Sequence, residues 1–200
     1  RGLMSKIAQY LNEHLLGEVS GLASLREVYS RDSSVFEVTP ELVVFPKVTN
    51  DVRKVARFSW QLAEKGHVLS LTPRGLGTDT TGGAIGPGII IDTTKYLNSI
   101  LYVSTKDKNK IAHVQPGVTL QTLYETLKWH GITIGAYTPT SDNMTVGGAI
   151  AAGIVGRTSG KYGTVADAVE RMEIVLANGD LIETGRISKR ELSKKKGEQT

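Results

Sequence analysis

The sequence predicts an α+β fold, and three observations lead to this prediction. Segments with the apolar spacing of helices alternate along the 200 residues with short apolar runs that are typical of strands. Of the 22 glycines, seven lie between residues 66 and 88 and six between residues 147 and 163. Each cluster stands between apolar runs, which is more typical of ligand-binding loops than of linkers. The composition, 40% apolar and 22% charged, is ordinary for a globular protein.

Three segments are predicted to form amphipathic helices. In the first, Ile7, Leu11 and Leu15 are four residues apart and form one apolar face. In the second, one face is predicted to carry Val52, Val55, Ala56, Ser59, Trp60 and Ala63. The predicted helices are residues 5–16, the segment from a cap at residues 49–51 to Gly66, and residues 119–130.

Short apolar runs between these helices predict strands. Asn178 and Gly179 form the favoured dipeptide of a two-residue hairpin turn, so the last two strands are predicted to pair. The predicted strands are residues 42–45, 68–71, 89–92, 98–103, 111–114, 169–177 and 181–184.

The familiar phosphate-binding and hydrolase motifs are absent. Gly75 and Gly77 begin like a dinucleotide-binding fingerprint, but Thr80 replaces the third glycine and no helix is predicted to follow. Residues 159–161 resemble a P-loop, but Tyr162 replaces its serine or threonine. No Gly-x-Ser-x-Gly nucleophile elbow occurs.

Composition excludes further classes. The sequence has no cysteine and its four histidines are dispersed, so no disulfide, thiolate site or metal site is predicted. The net charge is +4, and the basic tail of residues 186–200 accounts for all of it, so a nucleic-acid-binding face is not predicted. No apolar run approaches the ~18 to 20 residues of a transmembrane helix. The tail is predicted to be a solvated helix or a flexible end.

The segment from residue 73 to residue 84 is predicted to bind an anion. Consecutive backbone N–H groups in a glycine-rich turn can form an anion-binding nest. Gly75 and Gly77 allow the backbone to approach a ligand, and Thr78 and Thr80 add hydroxyl donors. The alternative is a long glycine-rich hairpin turn without a ligand.

Six motifs in a fixed order resemble one family. They are the loop at residues 73–84, the segment at residues 139–156 followed by residues 162–167, and the frame formed by residues 40–46, 90–92, 114–118 (Val-Gln-Pro-Gly-Val) and 173–180. Together they resemble the FAD-binding domain of the vanillyl-alcohol oxidase / p-cresol methylhydroxylase (PCMH) superfamily, and within it the glycolate oxidase and D-lactate dehydrogenase branch. The resemblance covers residues 32–185.

The resemblance implies a PCMH-type fold of two small subdomains of mixed sheet and helices, with FAD between them. The first loop would wrap the FAD pyrophosphate through backbone amides, and the second segment would line the flavin and ribityl side. Many relatives attach FAD covalently through a histidine in the first loop, where this chain has Thr78, so non-covalent FAD is expected. The cofactor-binding residues so implied are Pro73, Arg74, Gly75, Leu76, Gly77, Thr78, Asp79, Pro139, Thr140, Ser141, Asp142, Thr145, Gly147, Gly148, Ala151, Ala152, Val155 and Gly156.

The resemblance also divides the chain. It implies an N-terminal helix and lead-in at residues 1–37, an incomplete FAD-binding domain at residues 38–185 and a basic tail at residues 186–200. Relatives continue to a further strand and a substrate-binding cap domain, so this chain resembles an N-terminal piece of a longer enzyme. No catalytic residue is assigned within it. The piece alone is expected to be inactive and to self-associate through the face that a cap would cover.

The activity implied is hydride transfer from a small 2-hydroxy acid, such as D-lactate or glycolate, to N5 of FAD. The electron acceptor could be oxygen, a quinone or a protein, and the expected location is the cytoplasm, with peripheral membrane association as an alternative. Three other interpretations stay open: an ether-lipid synthase of the same superfamily, a non-catalytic FAD-carrying subunit that acts through a partner, and an α+β domain that binds nothing.

Overall fold

The computed structural model describes residues 2–106, 110–135, 143–185 and 189–197. Helices and small sheets alternate in it, which confirms the α+β class. The helices are α1 (Gly2–His14), α2 (Ala23–Val28), α3 (Thr49–Glu64), α4 (Leu120–Trp129), α5 (Val146–Ala151), α6 (Ser159–Tyr162) and α7 (Lys189–Gly197). The strands are β1 (Glu18–Ser20), β2 (Leu42–Phe45), β3 (Leu71–Arg74), β4 (Ile89–Asp92), β5 (Ile100–Ser104), β6 (Ile111–Val114), β7 (Arg171–Val175) and β8 (Leu181–Gly185).

The central sheet has four strands in the order β1-β2-β4-β3. Strands β2, β4 and β3 run parallel, and β1 lies antiparallel to β2 at one edge. Strands β2 and β4 are buried along their whole length, as expected for parallel strands that are covered on both faces. Alternate residues enter two cores, because Val44 and Ile91 pack with α1 and α3 whereas Val43 and Ile90 pack on the opposite face.

The carboxylate of Asp51 joins the N-terminal segment to this sheet. Asp51 is 1% exposed and accepts hydrogen bonds from the backbone N–H groups of Leu16 (3.0 Å), Gly17 (2.9 Å) and Lys47 (2.9 Å). The prediction that residues 49–51 cap α3 is therefore wrong. The N-cap is Val48, which makes no side-chain cap, and Asp51 instead ties the end of α1 to the start of α3.

A second core lies after the central sheet in the chain. The β5–β6 hairpin packs against α4 and α5 around a cluster of buried residues. The buried members are Val118, Leu120, Leu123, Leu127, Val146, Ala149 and Val165. The β7–β8 hairpin is a separate two-stranded sheet, and the Arg53 Nε of α3 donates to the carbonyl of Gly179 in its loop at 3.1 Å.

Three local predictions need correction. The strand predicted at residues 68–71 is misplaced, because β3 pairs with β4 in parallel register from Leu71 onward and Val68 is 84% exposed. On α3, Trp60 is 46% exposed, and Ala63 is exposed as well. Phe58 and Leu62 pack against the core instead, at positions that continue the helical spacing of the buried face.

The third correction concerns the last hairpin turn. Leu176 N–H donates to the Asp180 carbonyl at 2.8 Å and Gly179 N–H donates to the Leu176 carbonyl at 2.8 Å. Gly179 has a φ of +86°. The hairpin is confirmed, but its loop has three residues with glycine in the left-handed position rather than a two-residue Asn-Gly turn.

Within the described ranges, no helix is long and apolar enough to cross a lipid bilayer. The same residues contain no group of three or more His, Cys, Asp or Glu side chains with the arrangement of a metal site.

Candidate functional site

The first glycine-rich loop begins where strand β3 ends. Arg74 is the last residue of β3 and lies opposite Asp92 in the register of β3 and β4. The backbone N–H groups of residues 75–78 donate no hydrogen bond to any residue that the structure describes. Gly77 has a φ of +69°, a conformation that other residues adopt only at a cost. Successive free N–H groups around a left-handed glycine form the kind of concave donor set that binds anions.

The side chain of Asp79 holds the rest of this loop in place. Its Oδ2 accepts hydrogen bonds from the Thr81 hydroxyl (2.6 Å), the Gly83 N–H (2.5 Å) and the Thr81 N–H (3.1 Å). The hydrogen bond from the Thr81 hydroxyl, followed by that from the Gly83 N–H, lowers the pKa of Asp79 below its ordinary value of 3.8. The carboxylate is thus occupied within its own loop.

A positive charge lies against the same loop. The Arg74 Nη1 donates to the Ala84 carbonyl at 3.1 Å. A Cβ added at Gly77 would overlap the Arg74 guanidinium, so the loop backbone passes directly over it. Among the described residues, Arg74 forms no ion pair with a carboxylate. Its charge is therefore available to attract an anion to the free N–H groups.

The second glycine-rich segment folds into helix α5 and is held by residues 116–120. The Val146 N–H donates to the Val118 carbonyl at 2.7 Å, and the Gly147 N–H donates to the Pro116 carbonyl at 2.9 Å. Thr145, which is 2% exposed, caps α5 by accepting the Gly148 N–H at 3.1 Å. The Val-Gln-Pro-Gly-Val segment at residues 114–118 thus supports the start of α5.

The two glycine-rich segments contact each other, although 65 residues separate the partners of one bond. The Thr78 hydroxyl donates to the Asn143 carbonyl at 2.6 Å. A Cβ added at Gly75 would overlap the Thr145 Oγ1, so glycine at this position lets the loop lie against the cap of α5. Asn143 lies within the segment that is predicted to line the flavin and ribityl side, although the sequence assigns it no role of its own.

The structure places the other predicted residues in two groups. Helix α5 turns Val146 and Ala149 into the second core and leaves its opposite side exposed. Among the predicted residues, Gly148 and Ala151 on α5 and Ala152 at its C-cap are exposed. Val155 follows the helix and is exposed as well, whereas Gly147 and Gly156 are partly buried. The predicted residues Pro139, Thr140, Ser141 and Asp142 lie outside the described residues.

This arrangement fits a dinucleotide cofactor. The N–H groups of residues 75–78, which donate to none of the described residues, and the Arg74 charge suit a pyrophosphate. The short side chains along α5 allow a flat ring system to lie close to the helix. A family model described as "FAD binding domain" matches residues 40–185.

The chain belongs to this family. Its cofactor is FAD. D-2-hydroxyglutarate dehydrogenase of Haemophilus influenzae is 31% identical over 176 residues, which cover 88% of this chain and 17% of that protein. Glycolate oxidase subunit GlcD of Bacillus subtilis is 32% identical over 165 residues, which cover 80% of this chain and 33% of that protein. The chain spans 17% and 33% of the length of these two relatives.

Two solved structures have the same fold. An alkyldihydroxyacetonephosphate synthase superposes with a TM-score of 0.77 at 19% identity, covering 94% of this chain and 37% of that one. The 6-hydroxy-D-nicotine oxidase of Arthrobacter nicotinovorans superposes with a TM-score of 0.71 at 25% identity, covering 86% of this chain and 36% of that one. The PCMH-type fold expected from the sequence is confirmed.

Proposed function

We propose that this chain is the FAD-binding part of an oxidoreductase that acts on a 2-hydroxy acid of the D-lactate or glycolate type. The observation that carries the proposal is the chemistry shared by its relatives. The names of those that are 31% and 32% identical specify D-2-hydroxyglutarate and glycolate, and both compounds are 2-hydroxy acids. A D-lactate dehydrogenase of Kluyveromyces lactis is 28% identical over 151 residues.

Within this function, the first loop binds the pyrophosphate of FAD. The N–H groups of residues 75–78 donate to the phosphate oxygens, and Arg74 contributes the opposite charge. The small side chains of Ala151 and Ala152 leave room for the flavin and ribityl part along α5. When bound, FAD supplies the chemistry by accepting a hydride from the substrate C–H bond.

We also propose that FAD is held without a covalent bond. The loop at residues 73–84 contains no histidine, and the sequence has none between His67 and His113. Thr78 stands where a linking histidine is expected, and its hydroxyl is engaged by the Asn143 carbonyl. A threonine hydroxyl is a weak nucleophile unless a base activates it, and no histidine lies beside it in the loop.

Two alternatives are less well supported. The ether-lipid synthase interpretation rests on a structural likeness at 19% identity, which supports the fold alone. A FAD-carrying subunit without turnover of its own is the remaining alternative. It differs from the proposal in one measurable property, because it would hold reduced or oxidised FAD without oxidising a hydroxy acid unless a partner is present.

The test is a dye-reduction assay on the full-length protein that contains this sequence. The protein is supplied with excess FAD and offered D-lactate, L-lactate, glycolate and D-2-hydroxyglutarate, with free FAD as the control. We expect at least one 2-hydroxy acid to reduce the dye faster than free FAD does. Parallel assays with oxygen, a soluble quinone and cytochrome c as acceptors identify the acceptor class.

The outcomes separate the proposals. FAD binding without turnover of any of the four acids contradicts the enzyme proposal and favours the FAD-carrying subunit. Heat or acid denaturation should release FAD into the supernatant. Flavin fluorescence that stays with the denatured polypeptide contradicts the non-covalent proposal, and release of FMN contradicts the pyrophosphate role of the first loop.

A further inference from the structure

Tyr29 lies at the end of α2, outside the residues that match the FAD-binding family. Its hydroxyl donates to the Oδ2 of Asp92 at 2.5 Å, and its ring meets that of Phe45 edge-on with centroids 6.1 Å apart. Asp92 is 4% exposed and also accepts the N–H and the hydroxyl of Thr94, each at 2.6 Å. The ring of Tyr29 is therefore fixed both at its hydroxyl and at its edge.

The fixed ring lies under the Arg74 guanidinium. The Cζ of Arg74 is 5.0 Å from the centroid of the Tyr29 ring, within the distance at which a cation and an aromatic face attract each other. The guanidinium also donates to the Ala84 carbonyl, and a Cβ added at Gly77 would overlap it. Arg74 thus contacts both the aromatic ring and the first glycine-rich loop.

Burial, together with the hydrogen bond to Asp92, raises the pKa of Tyr29 above its ordinary value of 10.0. The hydroxyl therefore remains a donor to Asp92 throughout the neutral pH range. The Tyr29 side chain is therefore uncharged, and its contact with the Arg74 guanidinium is a cation–π contact and not an ion pair.

We infer that Tyr29 is a positioning residue for FAD, which holds Arg74 against the loop so that the N–H groups of residues 75–78 are already arranged before FAD binds. This inference rests on the proposed placement of the FAD pyrophosphate at residues 75–78. A group that is ordered in advance does not lose conformational freedom when its ligand arrives, so the affinity is higher. A residue of the N-terminal segment, residues 1–37, thereby helps to order the proposed cofactor site at residues 75–78.

The test uses hydrogen exchange and FAD titration on three variants. Tyr29→Leu removes the ring, whereas Tyr29→Phe keeps the ring and removes only the bond to Asp92. Tyr10→Leu is the matched control, because Tyr10 stacks on Phe58 away from the loop. Hydrogen exchange of residues 75–84 is measured without FAD, and the Kd for FAD and the Tm are measured for each protein.

Tyr29→Leu is expected to speed exchange of the hydrogen-bonded N–H groups of Thr81, Gly83 and Ala84. It should also weaken FAD binding about 3- to 30-fold, the range of a lost cation–π contact. Tyr29→Phe should restore the Kd to within about threefold of the wild-type value. Tyr10→Leu is expected to lower the Tm with an unchanged Kd. An unchanged exchange rate and Kd in Tyr29→Leu, or an equal loss of affinity in Tyr10→Leu, would overturn the inference.

Arg74→Lys provides a second arm if Tyr29→Leu does not fold, since it keeps the charge and loses the planar stack. It should weaken FAD binding by a similar factor and speed exchange of the N–H groups of Thr81, Gly83 and Ala84 in the FAD-free protein. An unchanged exchange rate and Kd in Arg74→Lys would overturn the inference. Wild-type protein that binds FAD without protecting residues 75–78 from exchange would instead contradict the proposed site.

Discussion

The two glycine-rich segments have similar compositions but differ in whether their backbone N–H groups donate hydrogen bonds within the chain. In the second segment, the N–H groups of Gly147, Gly148, Gly153 and Gly156 all donate hydrogen bonds within the chain. In the first loop, the N–H groups of residues 75–78 donate none to the described residues. The second segment therefore satisfies its backbone internally, whereas the first loop has donors that can bind a ligand.

The difference comes from the residues that flank each segment. Thr145 provides a cap and Pro116 provides a carbonyl, so the second segment satisfies its own backbone and becomes helix α5. The first loop begins directly after β3. Asp79 accepts hydrogen bonds from Thr81 and Gly83, which follow it in the chain, and not from residues 75–78. A glycine cluster therefore indicates a binding loop only where no nearby cap or carbonyl satisfies its backbone.

The largest expected effect is in the open loop. Gly77→Ala places a side chain at a φ of +69° and against the Arg74 guanidinium. Strain of this kind costs about 1–3 kcal/mol, so FAD affinity should fall about 5- to 150-fold, as measured by titration. Gly160→Ala in the second segment is the matched control, because nothing lies within 4 Å of its added Cβ. Equal affinities for the two variants would contradict the contrast between the segments.

A smaller effect is expected where the segments touch. Gly75→Ala overlaps the Thr145 Oγ1 and should destabilise the fold by about 1–3 kcal/mol. Thr145→Ala loses the α5 cap, worth about 1 kcal/mol. The double variant removes the overlap, so in urea unfolding it should lose less than the sum, with a coupling of about 1 kcal/mol.

The control for this cycle is Thr126→Ala, which removes a hydroxyl that donates to the Thr122 carbonyl on α4. Combined with Gly75→Ala, it should be additive within about 0.5 kcal/mol, because the atoms nearest to a Cβ at Gly75 all belong to Thr145. Additivity in both pairs would show that the contact between the segments does not contribute to stability.

The smallest effect concerns pH. The folded pKa of Asp79 lies below its ordinary value of 3.8, so its contribution to stability is present above that value and is lost as the pH falls through the folded pKa. The carboxyl ¹³C shift of Asp79 should titrate with a midpoint below 3.8. In Thr81→Ala, which removes the largest cause of the shift, the midpoint should move back toward the ordinary value. A wild-type midpoint at or above 3.8 would contradict the hydrogen-bonded geometry of the loop.

Sequence alone was sufficient where a local pattern and its surroundings agree. The runs at residues 42–45 and 89–92 are apolar throughout, and both are buried parallel strands. The order of the glycine-rich motifs was sufficient for the family and for FAD. Trp60 and Val68 were misassigned, since the exposure of Trp60 and the register of β3 depend on neighbours that are distant in sequence.

Only the tertiary structure decided how the site is assembled. No pattern in the sequence pairs Thr78 with Asn143, places Gly75 against Thr145, or brings Tyr29 beneath Arg74. These contacts join residues 45 to 70 positions apart. They form because β3 and β4 fix where the first loop begins, whereas residues 116–118 hold the start of α5. The composition of a loop determines what it can bind, whereas the sheet beneath it determines which side chains hold it in place.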